Sequence, residues 1–241
     1  MSTEQERFER WAAKGVGGEH TAAVPAATVI LLRDGAAGLE TLMLKRDSKL
    51  AFAGGMWVFP GGRVDPADYT PEAPDDAFGA ARRAAVREAR EEAGLAVDEG
   101  SLVWLSHWMP PPQTPKRFST WFFLSRAPAG TVTIDNGEIR DHMWVSPHAA
   151  IARRDALEIE LAPPTWVTLH TLVRARTVAA ALDAAAAGEP EHFTTRAALT
   201  NEGVVAMWHG DAGYETGDPS ADGPRHRLWM VDAGWRYERS A

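Results

Sequence analysis

Residues 26–32 make a continuous apolar, partly β-branched run, the pattern of a strand buried on both faces. Asp34-Gly35-Ala36-Ala37-Gly38 reads as a turn, and residues 39–45 alternate enough to return as a partner strand. After a loop over 47–55, residues 56–59 form a short strand running into Pro60-Gly61-Gly62-Arg63. Paired glycines after a strand let the backbone bend sharply and bring its own polar groups close to a ligand. Residues 65–76 have no periodicity and hold Pro66, Pro71, Pro74 and the acids Asp65, Asp68, Glu72, Asp75 and Asp76, so they read as a surface insertion.

The period then changes. Residues 77–93 place Phe78, Ala85, Val86, Ala89 and Ala93 on one face of a helix, with Asp75 or Asp76 as its cap and Gly94 as its stop. Strands follow over 97–109 and 118–125, separated by the proline-rich loop 110–115, with a short strand expected over 131–134 and a turn at 135–138. Met143-Trp144-Val145 leads into Ser146-Pro147, a capped start for a short helix over 147–154. Pro163-Pro164-Thr165 opens a longer helix expected over 166–187 and closed by Gly188. The tail, 192–239, reads as β, with strands at 203–208 and 227–231 around a loop rich in Gly, Asp and Pro. At the other end, residues 4–14 fit a short amphipathic helix with Phe8 and Trp11 on one side.

One stretch needs more than packing to explain it. In Arg87-Glu88-Ala89-Arg90-Glu91-Glu92-Ala93-Gly94-Leu95, three carboxylates fall on one helical stripe. Like charges so placed repel by roughly 0.2–0.5 kcal/mol per pair. A hard divalent cation with a preference for oxygen ligands offsets that repulsion.

Composition narrows the chemistry. The 241 residues are 45% hydrophobic and 24% charged, the balance of an ordinary globular chain with one large domain or an elaborated core. A net charge of −8 argues against a general nucleic-acid binder, though metal ions can bridge an acidic enzyme to a polyphosphate. The absence of cysteine excludes disulfides, thiol nucleophiles and Cys-ligated zinc, and the eight histidines show no HExxH spacing. No apolar run is long enough for a membrane span and the polar start is unlike a signal peptide, so the expectation is a cytoplasmic protein without a membrane partner.

Gly61-Gly62 upstream of the 87–95 stretch resembles the signature box of the Nudix hydrolases: Gly, five residues, Glu, seven residues, then Arg-Glu-apolar-any-Glu-Glu-any-Gly-apolar. The second half matches at every specified position. The first half departs, because 25 positions separate Gly62 from Arg87 where the pattern has 14, an insertion of 11 residues. Counted back from Arg87, Gly79 stands where the box Glu is expected, leaving Asp65, Asp68, Glu72, Asp75 or Asp76 to substitute. The run from Phe52 to Asp65 is similar to the branch near the coenzyme A diphosphatases, whose members also carry interrupted boxes.

The resemblance implies an α/β fold, the Nudix α/β/α sandwich with a mixed sheet, here with a C-terminal α/β extension. Residues 1–160 would hold the core with its N-terminal helix, and 161–241 the extension, packed on the core or serving a homodimer interface. It implies hydrolysis of a nucleoside diphosphate derivative by water attack on phosphorus, with Mg²⁺ or Mn²⁺ as cofactor. Glu88 and Glu92 would be the main metal ligands, with Glu91 and the carbonyl of Gly62 completing the set, and Arg87 would organise the carboxylates. Glu138, in the turn before Trp144, is the candidate general base, with Asp135 and Asp141 as rivals. Arg46, Lys116 and Arg117, at strand mouths, are candidate phosphate contacts, and Trp57, Trp108 or Trp121 could stack on a base. The competing account of the function is a Nudix-like nucleotide-binding or regulatory module, motivated by the missing box Glu. Isomerase chemistry on an isoprenoid diphosphate lacks its cysteine.

Overall fold

The computed structural model describes residues 22–50, 53–112, 114, 117–231 and 234–240. The helix expected over 4–14, Phe52 and Lys116 lie outside the described residues. The chain divides into two compact units. The larger takes Val24–His107 and Ser119–Glu191, and the smaller includes Trp108–Phe118 and His192–Ala241.

The larger unit is built on strands β1 (Val24–Gly35) and β2 (Gly38–Arg46), joined by a tight hairpin whose Gly35 and Gly38 are direct partners. Their apolar runs are buried on both faces: Val29, Ile30, Leu31, Leu32, Leu42, Met43 and Leu44 are inaccessible to solvent. That burial requires cover on both sides, which is what makes the unit a sandwich. Strand β3 (Trp57–Val58) pairs with β2, and β4 (Gly61–Arg63) lies antiparallel to β1, with Gly61 opposite Thr28 and Gly62 opposite Ala27. Strands β5 (Val103–Met109) and β6 (Phe118–Arg126) extend the sheet in the order β3-β2-β1-β6-β5, while β7 (Ile139–Val145) pairs with β2. A parallel bridge joins Trp57 to Leu161, so the sheet is mixed.

Helix α1 (Ala77–Ala93) crosses this sheet with its alanines 80, 81, 84, 85, 89 and 93 buried, a small-residue face that lets it lie close to β1. Asp76 accepts the Gly79 N–H at 2.8 Å as its cap, and Gly94, at φ 69°, ends it in the left-handed region where glycine alone is unstrained. Val86, expected on the buried face, is only half-covered. Helix α2 (Pro147–Asp155) starts on Ser146, which accepts the Ala149 N–H.

Two expectations change here. Residues 131–134 form no strand, and the helix expected over 166–187 is two helices, α3 (Pro163–Leu172) and α4 (Val178–Ala187). Thr177 supplies the reason, since its hydroxyl accepts the Ala180 N–H and restarts the helix, while Asp34 accepts the Val178 N–H at 2.8 Å.

The smaller unit contains an antiparallel sheet ordered β12-β11-β10-β9, from β9 (Arg196–Thr200), β10 (Gly203–Met207), β11 (His226–Val231) and β12 (Gly234–Arg239), and the strand β8 (Glu191–Thr194) precedes it. Trp108 stacks on Phe193 at 3.8 Å and meets Trp208 edge-on, so Trp108 is core, not a base-stacking platform. Arg227 and Asp211 form a buried bidentate pair, at 2.6 and 2.7 Å, with both side chains 2% or less exposed.

Candidate active site

Three pieces of backbone converge on the carboxylate stripe. The β1–β4 register sets Gly61 and Gly62 against α1 so closely that a Cβ on Gly62 would stand 2.3 Å from Glu88 Oε1. A Cβ on Gly61 would meet the Ala27 carbonyl at 2.4 Å. Gly61 is thus required by the close approach of β1, and Gly62 by the present position of the Glu88 carboxylate. Glu92, buried at 5% exposure, accepts the Gly61 N–H at 2.9 Å.

The third piece is β2. Its pairing with β7 slips between Lys45 and Arg46, so that Arg46 falls opposite Ile139 and Asp47 N–H donates to the Glu138 carbonyl. Such an irregularity re-aims a side chain. Here Arg46 Nη2 donates to Glu138 Oε2 at 2.8 Å and its Nη1 lies 3.6 Å from Glu92 Oε1. Glu138 itself is 58% exposed, held in place by a turn in which Asp135 accepts the N–H groups of Glu138 and Ile139. Asp135, a rival for general base, is thus the turn-former behind Glu138, and Asp141 caps the His142 N–H.

Electrostatics single out Glu92. Burial pushes its pKa up to about 8; the Gly61 N–H and Arg46 oppose this, while Glu88 and Glu138 add to it. Burial also raises Glu88, against the opposing Arg87 guanidinium. A carboxylate with so little compensation for its burial is a receptor for positive charge. The donors at this corner are hard oxygens, the chemistry Mg²⁺ and Mn²⁺ prefer, so Glu88, Glu92 and the Gly62 carbonyl fit a divalent ion. Among the described residues no three such side chains converge into a ready-made cage, however. Glu91 is the reason, being 58% exposed and held by Arg87 Nη1 at 2.9 Å.

Arg87 gathers the remaining acids. Its guanidinium reaches Glu88 and Glu91 at 2.9 Å, the Arg63 carbonyl at 2.9 Å, and Asp68 through Nε at 3.2 Å and Nη2 at 3.0 Å. The Asp68 bond, opposed by burial and helped by Glu88, raises the Arg87 pKa still further above its ordinary value. Asp68 is 5% exposed and ends a short 3₁₀ turn, Pro66–Asp68, where it also accepts the Asp65 N–H. Five residues separate it from Gly62, the spacing of the box acid when counted forward from the glycine. Counted forward from Gly62 the pattern reaches Asp68, and counted back from Arg87 it reaches Gly79.

Other candidates have partners of their own. Arg117 belongs to the smaller unit and donates to the Pro110 carbonyl at 3.3 Å. Trp57 is 6% exposed and lies in the sheet, and Trp121 packs on His107 at 4.8 Å.

A family model described as NUDIX domain matches residues 23–172. Among solved structures the chain is similar to a NUDIX hydrolase from Alicyclobacillus acidocaldarius, at 24% identity over 70% of this chain and 99% of that one, with a TM-score of 0.62. It is similar also to a MutT NUDIX hydrolase from Burkholderia pseudomallei, at 22% identity over 62% and 98% of the two chains, with a TM-score of 0.45. A third likeness, to the NUDIX domain of Shewanella oneidensis NrtR complexed with ADP ribose, has 17% identity over 71% and 97% and a TM-score of 0.46. The first of these likenesses is one of fold. No curated protein sequence matches the chain.

Proposed function

The chain belongs to the Nudix family and is a Nudix hydrolase, and on that premise we propose that it cleaves the pyrophosphate linkage of a nucleoside diphosphate derivative in the cytoplasm, with Mg²⁺ or Mn²⁺. The observation that carries the proposal is the junction of Glu92, Glu88 and the Gly61–Gly62 turn, where a buried carboxylate with its pKa near 8 meets a strand end that tolerates no side chain. A divalent ion held there by Glu88, Glu92 and the Gly62 carbonyl would neutralise phosphate charge and acidify water.

The chain's own groups do the rest. Arg87 keeps Glu88 in place and holds Glu91 in reserve as a further ligand, with Asp68 fixing the guanidinium from behind. Glu138 is the general base, exposed enough to take a proton from water, and Arg46 tethers it near Glu92 until a phosphate oxygen competes for the guanidinium. Coenzyme A and NADH are the first substrates to try, given the similarity of the 52–65 run to the coenzyme A diphosphatase branch.

The test is a screen of coenzyme A, NADH, dinucleotides and nucleotide sugars with Mg²⁺, Mn²⁺ or EDTA. We expect metal-dependent cleavage of at least one, reduced roughly a hundredfold or more by Glu92→Gln. Glutamine keeps an oxygen for the Gly61 N–H, so the variant should fold. Turnover of none of these compounds, or near-normal activity in Glu92→Gln, overturns the reading. The alternative of a binding module without hydrolysis loses its motive, because Asp68 already engages Arg87 at the spacing of the box acid.

A further inference from the structure

Arg83, Arg87 and Arg90 follow one another along a single stripe of α1. With Val86, Glu91 and Glu99 they line an open groove of about 570 Å³, within the size range of small-molecule sites. The charges in this groove are not equally committed. Arg87 is shared among Asp65, Asp68, Glu88 and Glu91. Glu99 faces Arg82, whose Nε lies 3.7 Å away.

That leaves two guanidiniums. Arg83 donates through Nε to the Asp68 carbonyl but has no carboxylate partner among the described residues, and its buried Nη2 finds no acceptor. Arg90 is exposed, and its side chain has no hydrogen-bond or ion-pair partner among the described residues. Buried donors without acceptors are rare enough to need an explanation. Two arginines without a carboxylate partner among the described residues, about two turns apart on one stripe, thus line the groove together with Val86.

We propose that this groove is an anion site that takes a phosphate group, held by Arg83 and Arg90 with Val86 beneath. Planar guanidinium forks match tetrahedral oxyanions, and two of them suit a dianion better than a single carboxylate. The groove is larger than one phosphate, so the group arrives either as free phosphate or as the phosphate of a small molecule such as a nucleoside monophosphate. The site does not depend on the hydrolytic reading and needs no divalent ion.

The experiment is calorimetric titration of the full chain in EDTA, with inorganic phosphate and, separately, adenosine monophosphate, at ionic strength held constant with chloride. Saturable binding is expected in the wild type. Arg90→Glu should weaken it about tenfold or more, and Arg83→Gln with Arg90→Gln should abolish it. Arg90 is exposed, so Arg90→Glu decides the matter even if the double variant does not fold. Tighter binding of the monophosphate identifies a nucleotide as the occupant, and equal affinity identifies free phosphate. Absence of binding in the wild type or unchanged affinity in Arg90→Glu overturns the proposal.

Discussion

Asp68 shows how a single side chain can be chemically central and still hard to read. Its carboxylate takes two donors from Arg87 while its own carbonyl accepts from Arg83, so one residue fixes the positions of two arginines on α1. Asp68→Asn keeps the shape but removes the charge opposing Arg87, and we expect kcat to fall about 10–100-fold with little change in KM. Steady-state kinetics on whichever substrate the screen identifies would check this. Glu92 carries a second prediction. A carboxylate whose folded pKa is raised, here from 4.5 to about 8, binds more protons folded than unfolded between those values. Stability of the metal-free chain should therefore fall as pH rises from about 4.5 toward 8, and Glu92→Gln should flatten that slope. Thermal melts in EDTA across this range test the sign, and Mg²⁺ should raise the wild-type melting temperature most at the alkaline end. The five acids of the 65–76 stretch were visible in the sequence, but choosing among them required knowing that the backbone makes a 3₁₀ turn just after the glycines.

Elements were legible where the local code is strong. The period of 3.6 with Asp75 or Asp76 before it and Gly94 behind it located α1, and the continuous apolar run of β1 pointed to a buried strand. Elements were missed where a single polar contact overrides a favourable run. The stretch from 166 to 187 holds no Gly or Pro and ends in alanines, yet Thr177 and Asp34 supply acceptors that reward a break. Nor does any periodicity reveal the register slip at Lys45/Arg46, which brings Arg46 within reach of both Glu92 and Glu138. The glycine turn supports a prediction at this scale. Gly62→Ala must displace Glu88, since the added carbon would sit 2.3 Å from its Oε1, so activity should drop while the circular dichroism spectrum stays that of the wild type. Gly94→Ala, forced to φ 69°, should cost about 1 kcal/mol, readable in urea unfolding.

On the scale of the molecule, the two compact units draw on different means of cohesion. The larger buries aliphatic strands under an alanine face, whereas the smaller relies on packed aromatics and a buried ion pair, Asp211 with Arg227. Burial pushes the Asp211 pKa up, but the Arg227 guanidinium and the N–H groups of His226 and Gly213 outweigh it and hold it below the ordinary value. A depressed carboxylate stabilises the fold above its unfolded pKa near 3.8, and that contribution disappears as pH falls through the lower folded value. Arg227→Met leaves Asp211 buried without its cation and should cost about 3–5 kcal/mol. Trp208, at the centre of that unit, offers a fluorescence signal for its unfolding. This tail was recognisably β from its sequence, but the Asp211–Arg227 pairing spans a loop with no pattern to connect the two residues.

The stretch after the 3₁₀ turn has one further consequence. Asp68 anchors its beginning to Arg87, Asp76 anchors its end to the first turn of α1, and a bridge between Thr70 and Ala73 closes the bend between them. Strain introduced between two such anchors stops at them. Residues 70–75 therefore form a natural grafting port, where a foreign peptide, an affinity tag or a fluorophore could be spliced in a few ångströms of chain from the reaction centre without reaching it.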